Sequence, residues 1–165
     1  RCCCRAQKPL GFHRARRWVL VAVRRPTVSP LHCLSCRPNS ASGYIYNVLE
    51  PYKNTSLKGV FHSFTGTDDE AARILEFSGF LIGINGVVTF KKSRLPEVLT
   101  KIPLEKIVLE TDSPYLTPVP NRGKRNESAY VKDTLMKVSD IYRMSPEAVG
   151  RVTSENALKV FGMLK

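Results

Sequence analysis

The chain has no acidic residue before Glu50, no cysteine after Cys36, three histidines in all, and no apolar run of membrane-spanning length. A transmembrane helix needs about 20 apolar residues and a secretory signal core at least about 7. Trp18-Val19-Leu20-Val21-Ala22-Val23 offers six between Arg17 and Arg24, so neither class is supported. The missing acids explain the charge. Nine Lys or Arg precede Glu50 and account for nine of the twelve net positive charges, leaving +3 for residues 50–165. The pI near 9.8 therefore describes a basic tail, which would attract nucleic acid or anionic membrane without specificity. Cysteine chemistry is confined to the same stretch, at Cys2, Cys3, Cys4, Cys33 and Cys36. Cys33-Leu34-Ser35-Cys36, with His32 beside it, has ligand spacing but is half a zinc site at most. A disordered tail and a pair of reactive or weakly metal-binding thiols both remain open for it. Arg-rich, Ser-containing and acid-free composition resembles a mitochondrial transit peptide, and a start at Arg1 without Met is expected of a fragment or processed product. The expected location is cytoplasmic or nuclear, and mitochondrial if that leader is a transit peptide.

At 165 residues there is room for one ordinary domain. Residues 1–43 show no sustained periodicity and end in the linker-like Pro38-Asn39-Ser40-Ala41-Ser42-Gly43, so a basic, disordered leader is expected there and a folded domain over 44–165. A short helix is expected around Tyr44–Tyr52, and a strand over Leu57–Phe64. Thr67-Asp68-Asp69-Glu70 is a capping-box pattern opening a helix that stops near Gly79. Phe80–Thr89 reads as a strand buried on both faces, Ser93–Ile102 as a weak helix, and Lys106–Leu109 as a third strand. Val131, Leu135, Val138 and Tyr142 mark one helix, and Ser145-Pro146-Glu147 starts another. Strand alternating with helix specifies an α/β class with parallel pairing.

Leu109-Glu110-Thr111-Asp112-Ser113-Pro114-Tyr115 ends the third strand with two carboxylates on one face. Carboxylates at the carboxyl end of a buried strand are costly unless a metal, a cation or hydrogen bonds compensate them, though a solvated strand-to-loop junction reads equally well. His62 ends another strand of the same sheet. Alone it reads as a hydrogen-bonded core imidazole. Paired with Asp112 at the sheet edge where α/β ligands collect, it suits zinc or magnesium. The loop Pro120–Glu127 follows, and Arg122 and Lys124 either hold a phosphate or form a solvated basic loop.

Several blocks in order carry a resemblance. They are Gly59-Val60-Phe61-His62-Ser63-Phe64-Thr65-Gly66, Gly79-Phe80 leading to Asn85-Gly86-Val87-Val88-Thr89-Phe90, the Leu109–Tyr115 motif, Pro120-Asn121-Arg122-Gly123-Lys124-Arg125-Asn126-Glu127, and Thr153-Ser154-Glu155-Asn156-Ala157. From about Lys58 to Leu164 the sequence resembles the carboxyl-terminal part of the TatD family of metal-dependent deoxyribonucleases, with Ser128 where a proline is usual. The resemblance implies a (β/α)8 barrel of the amidohydrolase type. It also implies one or two divalent ions, magnesium or zinc, and DNA as substrate, with no membrane and no obligate protein partner. On that likeness His62 matches the family's sixth-strand metal ligand. Asp112 matches the eighth-strand aspartate that binds metal and orients or deprotonates the attacking water. Arg122 matches the arginine of the substrate-side loop, and Glu110 shares the motif without an assigned role. The family's His-x-His, its strand-four glutamate and its strand-five histidine have no counterpart here, since His13 and His32 stand in the leader. The expectation is the last three-eighths of a barrel with an open sheet edge, prone to associate. Three functions stay in play: a truncated, inactive deoxyribonuclease, a non-catalytic fragment or interaction module, and an amidohydrolase-type enzyme on a small ester or amide.

Overall fold

The computed structural model describes residues 19–25, 28–36 and 41–162, with side chains from Ile45 onward. Residues 1–18, with Cys2, Cys3, Cys4 and His13, and the side chains of His32, Cys33 and Cys36 lie outside that description. The elements run β1 (Val19–Arg25), β2 (Val28–Cys36), α1 (Ala41–Leu49), β3 (Lys58–His62), α2 (Asp68–Leu75), β4 (Phe80–Ile84), α3 (Leu95–Leu99), β5 (Ile107–Leu109), α4 (Val131–Tyr142) and α5 (Pro146–Phe161). Five strands form one sheet in the order β2-β1-β3-β4-β5. The β3–β4 and β4–β5 pairs are parallel, as strand-helix alternation requires, with Val60 opposite Leu81 and Gly83 opposite Val108. Among the described residues no helix is long and apolar enough to cross a membrane.

Within the expected leader, 1–43, the structure describes residues 19–25 and 28–36. β1 and β2 form an antiparallel hairpin, and β1 pairs antiparallel with β3, setting Leu20 opposite His62 and Val23 opposite Gly59. The apolar run that is too short for a membrane is the right length for a strand, and its β-branched Val19, Val21 and Val23 favour one. Pro30 is tolerated because β2 is the edge strand. The edge expected to be open beside β3 is thus covered, and α1 starts inside the expected linker.

Strand alternation separates two apolar layers. Phe61, Ile82, Ile84 and Ile107 face the main core with Phe77, Phe80, Leu99, Val138 and Val149. Phe61 and Phe77 each pack against Phe80, with ring centroids 5.5 and 5.9 Å apart. Val60, Leu81 and Val108 face the other way, under Val160, Ala157 and Phe161 of α5. His62 follows Val60 by two residues and so belongs to this second face.

The helix starts are built as their sequences specify. Thr67 Oγ1 accepts from the Glu70 amide at 3.3 Å while Glu70 Oε2 accepts from the Thr67 amide at 2.8 Å, completing the box. Ser145 Oγ accepts from the Ala148 amide at 3.2 Å, with Pro146 in the first turn. All three expected strands are shorter than predicted, β3 at both ends. β4 stops at Ile84 because Asn85 caps a 3-10 turn, Gly86–Thr89, with its side-chain oxygen accepting from the Val87 amide at 3.0 Å. β5 ends at Leu109 as expected but begins at Ile107, because Leu104–Lys106 forms a 3-10 turn, and the Glu110 amide still reaches Ile84 O at 3.0 Å.

The packing of α5 depends on one polar residue. Asn156 is fully buried, and its Nδ2 donates to Leu104 O and Ile107 O, both at 2.9 Å. Removing it strands two buried carbonyls at the entrance to β5. Asn156→Leu should destabilise the protein by about 2 kcal/mol, read as a lowered denaturation midpoint. An unchanged midpoint would mean the two carbonyls find other donors.

Candidate metal centre

Three side chains converge at the carboxyl edge of the parallel strands. His62, Glu110 and Asp112 each offer a ligand atom, and these atoms lie within 4.8 Å of one another. β3 delivers His62 on its last residue, while Glu110 and Asp112 stand on the extended segment just after β5. His62 Nδ1 is 2.5 Å from Glu110 Oε2, and Nε2 is 3.0 Å from Asp112 Oδ1. The imidazole therefore lies between two carboxylates.

Glu110 reaches this position because β4 makes room for it. A Cβ on Gly83 would collide with the Glu110 carboxylate, so the strand position opposite Val108 has to lack a side chain. Ser63 supplies the other half of the Glu110 cradle. Its backbone is left-handed, φ 56°, a conformation costing about 1 kcal/mol or more in a residue with a side chain. That turn aims the Ser63 amide at Glu110 Oε1 and its hydroxyl at Asp112 Oδ2, the latter at 2.8 Å. Fully buried Asn85 donates to both Ser63 Oγ and Asp112 Oδ2 at 2.8 Å.

These contacts distinguish the two oxygens of Asp112. Oδ2 accepts from Ser63 and Asn85, whereas Oδ1 is buried and, among the described residues, has no aligned donor despite the nearby imidazole nitrogen. A buried carboxylate oxygen without a hydrogen is the atom a cation would satisfy. One imidazole nitrogen and carboxylate oxygens form a donor set that suits zinc and also accepts magnesium. The geometry also fits the common pattern in which a ligating imidazole gives its second N–H to a carboxylate, here Nδ1–H to Glu110.

The electrostatics follow from burial and pairing. Burial pushes His62 down, but the Asp112 and Glu110 carboxylates facing its two ring nitrogens favour the charged ring, outweigh burial and raise the imidazole to about 10. Burial pushes Glu110 up, only partly offset by His62 and the Ser63 amide. Asp112 is also pushed up by burial, yet His62, Ser63 and Asn85 together hold it below the usual carboxylate range. Without a cation the cluster keeps a proton on His62, and a cation must displace it.

Of the expected site residues, His62 and Asp112 are brought together, and Arg122 packs on Phe90. Its guanidinium carbon lies 4.0 Å from the centre of the Phe90 ring, a cation–π contact that fixes an otherwise exposed side chain. Sequence reasoning gave no roles to Ser63 and Asn85 and left Glu110 unassigned. The signal available was their place inside the motif blocks, beside the named ligands.

The raised His62 makes a prediction for the metal-free protein. Folding lifts this group from its usual 6.5 to about 10, so the folded state holds a proton that the unfolded chain releases. The stabilisation is complete below about pH 6.5 and fades as pH climbs through about 10. Urea unfolding across that window should show the loss, and His62→Gln should flatten it. A wild-type profile as flat as the variant's would refute the pairing.

With that geometry in hand, comparison with known proteins is informative. The sequence profile of the family described as TatD related DNase matches residues 19–162, a span that takes in the β1–β2 hairpin as well as the motif blocks. An uncharacterized metal-dependent hydrolase of Buchnera aphidicola is 43% identical over 118 residues, covering 71% of this chain and 44% of that protein. A protein of Pantoea ananatis named 3'-5' ssDNA/RNA exonuclease TatD is 34% identical over 140 residues, covering 81% of this chain and 52% of that one. In three dimensions the chain resembles a crystallised TatD homologue of Escherichia coli K12, with TM-score 0.67 and 22% identity over 74% of this chain and 47% of the other, a likeness of fold. The chain thus spans about half the length of the curated relatives it matches.

Proposed function

Because the chain belongs to the TatD related DNase family, we propose that its carboxyl-edge cluster is the metal-binding end of a hydrolase acting on phosphodiester bonds of single-stranded DNA. The observation that supports this most directly is Asp112, a partly buried carboxylate with one oxygen held by Ser63 and Asn85 and the other, itself buried, lacking an aligned donor. The relatives' description as metal-dependent hydrolases and the exonuclease name of one of them point the same way. The basic loop favours phosphate over a neutral ester or amide.

In this reading His62 Nε2 and Asp112 Oδ1 are the ligands. Glu110 holds the imidazole by its Nδ1 proton, so the ring presents Nε2 with its lone pair free. Ser63 and Asn85 fix the plane of the Asp112 carboxylate, leaving Oδ1 to face the ion and take up a proton from an attacking water. A divalent ion bound there would supply Lewis-acid charge at a phosphoryl oxygen and make water a better nucleophile. Imidazole nitrogen favours zinc over magnesium. Among the described residues only these three ligand groups cluster, and one of them is engaged in holding another. The reading therefore has the 165-residue chain bind the ion without turning over DNA.

Calorimetry should find zinc binding that strengthens as pH rises, because the His62 proton must leave. His62→Ala and Asp112→Asn should each weaken binding about tenfold or more, and Glu110→Gln by at least as much as is usual for a residue that orients a ligand. Zinc affinity indifferent to all three would overturn the metal assignment. Separately, a labelled single strand incubated with the chain and zinc, magnesium or manganese should remain intact. Hydrolysis that disappears in Asp112→Asn would show the chain to be active and overturn that part of the reading.

A further inference from the structure

The most exposed large apolar side chain described is not on a helix but beside the cluster. Tyr115 is 73% exposed, three residues after Asp112, with its amide donating to Asp112 O at 2.7 Å. Leu116 and Val119, 38% and 46% exposed, continue an apolar rim. This loop is held in place rather than left loose. Leu116 adopts a left-handed backbone, φ 54°, and its carbonyl sits where a Cβ on Gly86 would collide with it at 2.5 Å.

A second, charged segment is laced to the same loop. Thr117 Oγ1 donates to Lys124 O at 2.6 Å, the Asn126 amide donates to Pro114 O at 3.1 Å, and Asn126 Nδ2 donates to Tyr115 O at 2.6 Å. Asn126 is buried, so the lacing is shielded from water. These bonds set exposed Lys124 and Arg125 against the Tyr115 turn, with Arg122 anchored on Phe90 nearby in sequence. Cations that meet a phosphate backbone, next to an aromatic face that meets a base, are the two parts of a single-strand platform. A duplex would hide the base face from such a surface.

We propose that Tyr115 stacks on a base of the bound strand, with Lys124 and Arg125 on the flanking phosphates, so that the strand is positioned over the His62–Asp112 cluster. This rests on the reading of that cluster as a nucleic-acid site, and names the residue that tells a single strand from its phosphates alone. The test is binding, which does not need turnover. Fluorescence anisotropy would compare a short oligodeoxynucleotide with an abasic strand of equal length, using the full chain and its metal. The wild type should bind the base-bearing strand about tenfold more tightly. Tyr115→Ala should abolish most of that margin and leave abasic binding unchanged. Tyr115→Trp should keep the margin, its emission quenched by the base-bearing strand alone over the Trp18 background. Arg125→Ala should weaken both strands equally and lower the salt dependence. A wild type that binds the two strands equally, or an Ala variant that keeps the preference, would overturn the stacking role while leaving the hydrolase reading standing. If neither strand binds, both readings fall together.

Discussion

A carboxylate buried in an apolar sheet has to be neutralised by its surroundings, and the arrangement around Glu110 follows from that requirement. The strand beside it gives up a side chain at Gly83, Ser63 accepts a left-handed backbone to direct an amide at it, and His62 keeps a proton to face it. Asp112 is then held by the Ser63 hydroxyl and the Asn85 amide, with the second nitrogen of the imidazole beside it. No member of this set can be altered without exposing another, which is why the cluster is better described as one unit than as a list of ligands.

The parts of this structure that could be read from sequence are those fixed by local chemistry. Thr67 to Glu70 and Ser145-Pro146 specify helix starts through bonds spanning three residues, and both are found as written. The parallel order of β3, β4 and β5 followed from alternation, and the meeting of His62 with Asp112 followed from that order. Strand ends were less legible. The run from Phe80 to Thr89 is apolar throughout, and hydrophobicity alone does not reveal that Asn85 turns its side chain onto its own backbone and ends the strand. Least legible were the residues whose value is relational. Gly83 matters for a carboxylate 27 positions away, and Ser63 for its backbone angle, neither of which leaves a pattern in composition.

The hairpin is the other lesson. Val19–Arg25 carries apolar residues between arginines, a composition equally compatible with a basic tail, and no short-range rule assigns it a partner. Besides β2 it pairs with β3, nearly forty positions on, and it meets both antiparallel, beside the parallel strands β3, β4 and β5. Long-range pairing of this kind is decided by which edge is unsatisfied, and β3 had one to offer. The family profile takes in this hairpin together with the parallel strands.

The turn at Gly86–Thr89 joins the carboxylate cluster to the anchor of the basic loop. Asn85 at its start touches Asp112, and Phe90 just after its end carries the Arg122 guanidinium. A 3-10 turn rises about 2 Å per residue and is too short to flex along its axis. The spacing between the carboxylate and the anchored cation is therefore set by chain length rather than by side-chain reach, and those four residues act as a ruler. A single inserted residue there would leave every functional side chain present while changing the distance between them.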